Sequence, residues 1–268
     1  MTMSAKVRVL SLIVAVLYAA ACEPLAPDAT RVVIVLTSAP TATKLPTAIP
    51  QPTDTPTIVP TDTPTVIPTA TQWVCGESKG QMVDLTFYSS IEKAQVAYRV
   101  YLPPCYAEMQ RRFPYVILMH GSDGDQTYWT DQLGVQTALD TGITVQALPP
   151  MILVMPDGGQ LMNTNIFRDG ASWESVVLDE LMPEIAKTLC VWNAREGRAI
   201  GGISRGGFWA FEIAFRHPEL FSAVGGHSAF FDTQSSVGPA YNPLLLAKSV
   251  QFPDNLTPRF WLDAGQDD

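Results

Sequence analysis

The sequence predicts an α/β fold built on a doubly wound, mostly parallel sheet. Two short, uninterrupted apolar runs, Tyr115–Met119 and Met151–Met155, are typical of strands that are covered on both faces, as in a parallel sheet. Helical patterns alternate with such runs, and the segment Gly206–Arg216 is apolar on all sides, as a buried helix would be. This alternation favours a doubly wound sheet, in which functional residues lie at the carboxyl ends of the strands.

The remaining elements follow from shorter patterns. An imperfect alternation of apolar and polar residues predicts an opening antiparallel pair of strands, and a repeat of apolar residues every four positions predicts a helix that Pro183 bends. Three further short apolar runs predict strands. In chain order, these predictions are strands at Met82–Tyr88 and Val96–Leu102, a helix at Val177–Leu189, and strands at Arg198–Ile200, Phe221–Val224 and Arg259–Leu262.

The first 21 residues have the composition of an export signal. Lys6 and Arg8 precede an apolar run that ends at Ala21 and is short for a transmembrane span. The end of this run resembles a bacterial lipobox, in which the following cysteine, here Cys22, is lipidated and begins the mature chain. Ala19 stands where leucine is commoner, and the alternative is ordinary cleavage with Cys22 incidental. We therefore expect a cell-surface lipoprotein anchored in the membrane through Cys22, or alternatively a secreted protein.

Residues 22–72 are predicted to form a stalk. The segment is dominated by Thr, Pro and Ala, and an eight-residue repeat begins at Pro52 and again at Pro60. Proline at this density removes backbone donors and favours extended conformations that cannot bury enough apolar surface to fold. The predicted organisation is thus a signal segment at 1–21, a semi-rigid spacer at 22–72 and a globular domain at 73–268.

Charge and cysteine content exclude several classes of function. The net charge is −9, which does not favour binding to nucleic acid or to anionic membrane surfaces. The four cysteines form no C-x-x-C pair, and the three histidines show no metal-ligand spacing, so neither a metal nor another cofactor is predicted. Export permits a disulfide among Cys75, Cys105 and Cys190. One of the three would then stay unpaired, and the sequence leaves open which one.

One pentapeptide carries a specific chemical prediction. Residues Gly202 to Gly206 fit G-x-S-x-G, with Ser204 at the centre, after a predicted strand and before a predicted buried helix. In that context the serine sits on a sharp, strained turn, and side chains at the flanking glycine positions would clash. The turn presents the hydroxyl at the amino end of the helix, where developing negative charge is stabilised. Ser204 is therefore the predicted nucleophile.

The globular part resembles the putative esterase family of the α/β-hydrolase fold, which includes esterase D-like enzymes, feruloyl esterases and antigen 85-type acyltransferases. Segments in the family's order carry this resemblance across nearly the whole domain. They are Tyr98–Pro104, Ile117–Gly121, Met155–Gly158, Glu180–Pro183, Gly201–Gly207 and His217–Phe221. The resemblance implies a serine carboxylic-ester hydrolase.

The resemblance also implies the rest of the machinery. The backbone N–H groups of Arg205 and Ser122 would form the oxyanion hole, and His120 would shape the oxyanion loop instead of serving as the base. The acid would follow the next-to-last strand. The family's spacing points to Asp268 there, with Asp267 and Asp263 as alternatives.

Chain order in this fold is serine, acid, histidine, and no histidine follows Asp268 in the sequence. His227 lies between the serine and the acid, out of order for a base. We therefore expect a fragment of a longer reading frame that lacks the last strand and helix of the fold. We also expect the 268-residue chain to have little or no esterase activity and apolar faces that are underpacked near Phe208, Trp209 and Phe260.

Two classes of function follow. The first is an exported esterase that acts through an acyl-enzyme on small-molecule or polysaccharide-linked esters, with an acyltransferase as a variant that differs only in the acceptor. The second is an inactive surface-binding module on a hydrolase scaffold. The intact serine motif favours the first, and the missing histidine favours the second.

Overall fold

The structure is a computed structural model that describes residues 75–231 and 237–265. The predicted signal segment, the lipidation site Cys22, the whole stalk and the predicted acid Asp268 lie outside these ranges, as does Asp267. Those predictions therefore stay predictions. Within the described ranges, no helix is both long and apolar enough to span a lipid bilayer.

Strands and helices alternate along the described chain. The strands are β1 Gln81–Ser89, β2 Ala94–Leu102, β3 Tyr115–Met119, β4 Ile152–Pro156, β5 Arg198–Ile203, β6 Ala223–His227 and β7 Arg259–Asp263. The α-helices are α1 Tyr128–Asp131, α2 Val135–Thr144, α3 Gly159–Met162, α4 Trp173–Ser175, α5 Met182–Thr188, α6 Arg205–Arg216 and α7 Pro243–Ser249. A π-helical segment, Val176–Leu181, joins α4 to α5, and a 3-10 turn, Arg195–Gly197, precedes β5.

The strands form one sheet in the order β1-β2-β4-β3-β5-β6-β7. β1 and β2 are antiparallel, with Gln81 opposite Leu102, and β2 is antiparallel to β4. All other neighbours are parallel. The predicted opening hairpin and the mostly parallel, doubly wound sheet are both confirmed.

The main core lies on the face of the sheet that α6 covers. Ile117, Ile200 and Val224 point into this core, where Trp173 and Trp209 are fully buried. As predicted, every residue of α6 from Gly206 to Phe215 is buried, because the helix packs between the sheet and the segments around it. The sheet on one side and the surrounding segments on the other thus hold the turn between the carboxyl end of β5 and the amino end of α6 in place.

The opposite face of the sheet is covered only in part. Around β4 it packs on α2 through Leu139 and the buried side chains Leu153 and Met155. Across β5, β6 and β7 it forms an open apolar groove of about 570 Å³, which Trp129 and Trp261 help to line. This face therefore carries little packing at the β7 edge.

β5 and β6 extend well beyond their predicted ends. β5, which was predicted to end at Ile200, runs on to Ile203. The prediction ended one strand at Val224, whereas β6 runs on to His227 through Gly225 and Gly226. These glycines pair in register with Gly201 and Gly202 of β5. A Cβ on Gly201 would lie 3.1 Å from the carbonyl oxygen of Gly225. The glycines therefore mark close approach of neighbouring strands, not turns.

The helix predicted at Val177–Leu189 is interrupted as expected, but by a change of helix type. The N–H of Met182 donates to the carbonyl of Val177, five residues earlier, so the π-helical hydrogen-bonding pattern continues to the start of α5. Pro183 follows directly, within the first two positions of α5. The widened turn accommodates a residue that lacks a backbone donor.

A disulfide joins Cys75 to Cys105 and so links the segment before β1 to the residues after β2. Cys190 is also disulfide-bonded. The expectation that one of Cys75, Cys105 and Cys190 stays unpaired is therefore wrong.

The underpacking predicted near Phe208 and Trp209 is also wrong, since both side chains are buried. The segment after β4 covers them. The Phe167 ring lies 5.7 Å from that of Phe208 and 4.8 Å from that of Trp209, and Trp209 Nε1 donates to the carbonyl of Met162 at 2.8 Å. Only Phe260, on β7, is exposed as expected.

Candidate active site

Ser204 occupies a strained turn between β5 and α6. Its backbone has φ 51° and ψ −114°, a conformation that residues other than glycine rarely adopt. Such strain costs about 1–3 kcal/mol and persists only where the surroundings impose it. Here the Ser204 N–H donates to the carbonyl of His227 at 3.1 Å, and its own carbonyl accepts from the N–H groups of Phe208 at 3.1 Å and Phe230 at 3.0 Å.

The two glycines of the motif are required by close backbone contacts. A Cβ on Gly202 would lie 2.3 Å from the carbonyl carbon of Gly206. A Cβ on Gly206 would lie 2.4 Å from the carbonyl oxygen of His120 and 2.5 Å from that of Met119. The clash expected from the sequence is therefore present at both positions.

His120 is a structural residue of the loop after β3. The side chain is buried, its Nδ1 lies 2.6 Å from the carbonyl oxygen of Gly121, and its Nε2 accepts the N–H of Gly158 at 2.9 Å. Because Nε2 accepts, the proton of the neutral ring resides on Nδ1 and is donated to Gly121. With both nitrogens engaged, His120 cannot take a proton from Ser204, in agreement with the role predicted for it.

The predicted oxyanion donors lie on the two segments that meet at Ser204. Gly121 approaches so closely that a Cβ on it would lie 3.5 Å from the Ser204 Cβ, and the exposed Ser122 follows directly. Arg205 is the first residue of α6, where backbone N–H groups lack acceptors within the helix. The fold therefore brings the Ser122 and Arg205 segments to one end of the sheet beside the serine.

The Arg205 side chain has a structural role that the sequence did not indicate. Its Nε donates to the carbonyl of Met162 at 2.9 Å, and its Nη2 donates to the carbonyl of Thr164 at 2.6 Å and to Asn165 Oδ1 at 2.5 Å. The guanidinium thus fastens the loop after β4 to the first turn of α6. No local signal could have revealed this, because the acceptors are about 40 residues away in sequence.

Carboxylates surround the loop after β3. The pKa of Asp125 is held below its usual value because the hydroxyl and the backbone N–H of Thr127 both donate to it. Asp157 Oδ1 lies 3.8 Å from His120 Nε2. Glu92 accepts the N–H of Leu161, but burial outweighs this bond and raises its pKa. These groups stabilise the loops and contact neither Ser204 nor Arg205 directly.

Asp263, one of the alternative acids, is the last residue of β7. Its Oδ2 lies 2.7 Å from His227 Nδ1, and both side chains are about 40% exposed. The sequence singled out each residue but did not pair them, since 36 positions separate them. Their pairing arises because β6 and β7 are parallel neighbours with His227 opposite Asp263.

The described residues contain one grouping with the ligand types of a metal site: Glu77, Cys105 and Glu108. The Cys105 sulfur is bonded to Cys75, so no thiolate is available there. Glu77 instead accepts the N–H of Cys105 at 2.7 Å. This grouping therefore stabilises a turn.

Comparison with known proteins agrees with this geometry. The family model described as Putative esterase matches residues 89–268. The chain belongs to this family. Among curated proteins, one of Xylanibacter ruminicola named endo-1,4-beta-xylanase/feruloyl esterase is 34% identical over 54% of this chain and 21% of that protein. An esterase of Mycobacterium tuberculosis is 32% identical over 48% of this chain and 28% of its own length. The chain thus spans less than a third of these relatives.

Solved structures place the family member in the α/β-hydrolase fold. A ferulic acid esterase superposes with a TM-score of 0.56, at 20% identity, over 70% of this chain and 91% of its own. An S-formylglutathione hydrolase from Agrobacterium tumefaciens gives 0.57, at 17% identity, over 71% and 77%. The predicted fold and family resemblance are confirmed.

Proposed function

We propose that this protein is an exported serine carboxylic-ester hydrolase in which Ser204 is the nucleophile. One observation carries the proposal: the strained conformation of Ser204 at the carboxyl end of a central strand, with the Gly121 backbone against it. A serine whose only role was packing would not require positive φ or two glycines that no Cβ could replace. Membership in an esterase family supports the same reaction class.

In the proposed reaction, the Ser204 oxygen attacks the ester carbonyl carbon, and the serine proton passes to an imidazole. The backbone N–H groups of Arg205 and Ser122 would stabilise the oxyanion, an effect worth about 3 kcal/mol for each donor. The imidazole then protonates the departing alcohol. Water attacks the acyl-enzyme while the imidazole takes one of its protons. The tetrahedral intermediate then collapses, the imidazole returns that proton to the Ser204 oxygen, and the carboxylic acid leaves.

The imidazole itself stays a prediction. Chain order in the family places it after the acid, for which Asp268 is the proposed residue. His120 is unsuitable because both of its nitrogens are engaged. His227 precedes the acid in the chain and is therefore out of the family's order for a base. The proposal therefore assigns the role of base to neither His120 nor His227.

For the substrate we propose esters attached to polysaccharide, such as feruloyl or acetyl groups. The name of the Xylanibacter relative, which combines a xylanase with a feruloyl esterase, supports this class. Export and a Thr/Pro-rich stalk would place the domain at or beyond the cell surface, where such polymers occur. An acyltransferase would use the same acyl-enzyme with a different acceptor.

Labelling with a fluorophosphonate probe tests the nucleophile. The probe is applied to the 268-residue chain and to any longer reading frame that encodes it, each with a Ser204→Ala variant. Ser249→Ala, a serine at the exposed end of α7, is the matched control. Labelling that disappears only with Ser204→Ala is the expected result. If folded wild-type protein of neither length reacts, the esterase proposal fails and the surface-binding module remains.

The substrate class is tested separately. Hydrolysis of methyl ferulate is compared with that of p-nitrophenyl acetate, and product partition is measured with added alcohol acceptors. Preference for the feruloyl ester with release of free acid supports the proposal. Predominant transfer to the added alcohol identifies the acyltransferase instead.

A further inference from the structure

The segment that follows β6 is hydrogen-bonded to both sides of Ser204. The carbonyl of His227 accepts the Ser204 N–H, and the N–H of Phe230 donates to the Ser204 carbonyl. Between them, Ala229 packs so closely on α6 that a Cβ on Gly207 would lie 2.6 Å from the Ala229 Cβ. The conformation of Ser204 therefore depends on where residues 227–230 lie.

This segment is itself held in an unfavourable conformation by β7. Ser228 has φ 43°, in the left-handed region. Its N–H donates to the carbonyl of Asp263 at 2.9 Å, while the Asp263 carboxylate lies 2.7 Å from His227 Nδ1. Asp263 thus fixes the turn twice, once through its backbone and once through its side chain.

Strand register makes His227 the link between β7 and the candidate nucleophile. His227 lies opposite Asp263 on one side and opposite Ile203, the residue before Ser204, on the other. The ring is also flanked by Trp129, with centroids 6.5 Å apart. A change at Asp263 therefore reaches Ser204 through one residue.

We propose that Asp263 and His227 form a positioning pair that holds Ser204 in its reactive conformation. Neither residue acts on the substrate in this role. The pair fixes the 227–230 turn, and the turn holds the N–H and the carbonyl of Ser204. This inference rests on the proposed function, since it assigns the pair to the same nucleophile. Misplacement of a reacting group lowers turnover more than it lowers substrate binding.

Matched variants separate positioning from chemistry. His227→Ala removes the hydrogen bond to Asp263, whereas His227→Asn places an amide N–H close to the position of Nδ1. Asp263→Ala removes the acceptor, and Asp254→Ala, an exposed carboxylate before β7, is the control. Hydrolysis of p-nitrophenyl acetate by a form of the protein that reacts with the fluorophosphonate probe gives kcat and KM for each variant.

We expect His227→Ala and Asp263→Ala to lower kcat by about tenfold or more while KM changes less than about twofold. The double variant should lose no more than the worse single variant, because both break one link. His227→Asn and Asp254→Ala should retain most of the wild-type kcat. Equal loss in His227→Asn and His227→Ala would overturn the proposal, since it would mean that the imidazole itself acts on the reaction.

Hydrogen exchange provides a readout that does not need activity. The peptide containing Ser204 should lose amide protection in His227→Ala and keep it in His227→Asn. Wild-type kcat and wild-type protection in His227→Ala would overturn the positioning role. If the wild-type protein neither hydrolyses the ester nor reacts with a fluorophosphonate, yet exchange at Ser204 responds as expected, the proposed function fails and the positioning role stands.

Discussion

At the residue scale, the site depends on glycine positions where there is no room for even one additional side-chain carbon, a Cβ. Gly206 allows the first turn of α6 to lie against the end of β3, and that contact brings Gly121 to Ser204. Ser204 itself is strained, and hydrogen bonds from three directions hold it. The reactive geometry is thus a consequence of backbone packing around small residues.

Gly206→Ala tests this dependence. The added Cβ would meet two backbone carbonyl oxygens within 2.5 Å, and backbone cannot move aside as a flexible side chain can. We expect a loss of roughly 3 kcal/mol in the free energy of unfolding and loss of fluorophosphonate labelling. Gly238→Ala, where a Cβ meets nothing within 4 Å, is the matched control. A Gly206→Ala protein with wild-type stability in urea would contradict the packing argument.

A second residue-scale feature is a buried charge cluster at the end of α6. Glu212 is fully buried and accepts a hydrogen bond from Arg216 at 3.0 Å. Arg216 also contacts Glu174, and Glu174 lies 2.7 Å from His217 Nε2. Burial, together with the charge of Glu174, raises the pKa of Glu212 to about 8. The hydrogen bond with Glu174 raises the pKa of His217.

Both shifts have the same consequence for stability. The native protein retains protons on Glu212 and His217 at pH values where the unfolded chain has released them, so stability falls as pH rises from about 5 to 8. We expect a decrease of about 4 kcal/mol over this range, since each unit of pKa shift corresponds to about 1.4 kcal/mol. Thermal unfolding between pH 5 and 8 measures it. Glu212→Gln should flatten the profile, and the exposed Glu108→Gln should not. An unchanged slope in Glu212→Gln would rule out Glu212 as the source.

At the element scale, the ends of strands are fixed by links that are distant in sequence. The Cys75–Cys105 disulfide, with a sequence separation of 30, encloses the β1–β2 hairpin at the antiparallel edge of the sheet. The π-helical segment before Pro183 keeps one continuous helix packed on the main core. The disulfide stabilises a hairpin at the edge of the sheet, and the π-helical segment accommodates the backbone donor that Pro183 lacks.

Removing the disulfide tests the first device. A Cys75→Ser/Cys105→Ser double variant should lose about 3 kcal/mol of stability, because the unfolded chain gains the entropy of an open loop. Guanidinium unfolding of the double variant and the wild type measures the difference. The active-site elements lie across the sheet from this hairpin, so labelling at Ser204 should persist below the unfolding transition. Equal midpoints for the two proteins would show that the link constrains little.

At the scale of the whole molecule, one side of the sheet is well covered and the β7 side is open. Phe260, Trp261 and Leu262 are all about half exposed on β7, next to the apolar groove. In the described residues, β7 pairs only with β6. An apolar strand with one unpaired edge favours association between molecules.

We therefore expect the purified 268-residue chain to self-associate as its concentration rises. Trp261→Lys should raise the concentration at which the chain remains monomeric, because it places a charge on the apolar edge. Trp192→Lys, an exposed tryptophan away from β7, is the control. Light scattering coupled to size-exclusion chromatography measures the mass. A wild-type chain that stays monomeric at high concentration would show that this edge does not associate.

The strands of the parallel core, the buried helix α6 and the turn at Ser204 could all be predicted from short stretches of the sequence. Each depends on a few adjacent residues: a run of apolar side chains, an apolar helix, or glycines at fixed offsets from a serine. Local sterics and periodicity decide such features before any tertiary contact forms. For the same reason, the strand predicted to end at Val224 is shorter than β6, because a glycine such as Gly225 is locally typical of a turn.

Tertiary structure alone decided which distant residues meet. The pairing of His227 with Asp263, the contact of the Arg205 guanidinium with the loop after β4, and the hydrogen bond from Trp209 to Met162 all join segments more than 30 residues apart. Strand order and register create these contacts, and neither is encoded in the residues adjacent to the partners. The motif at Ser204 could therefore be found in the sequence, whereas the residues that hold it in place emerged only from the assembled sheet.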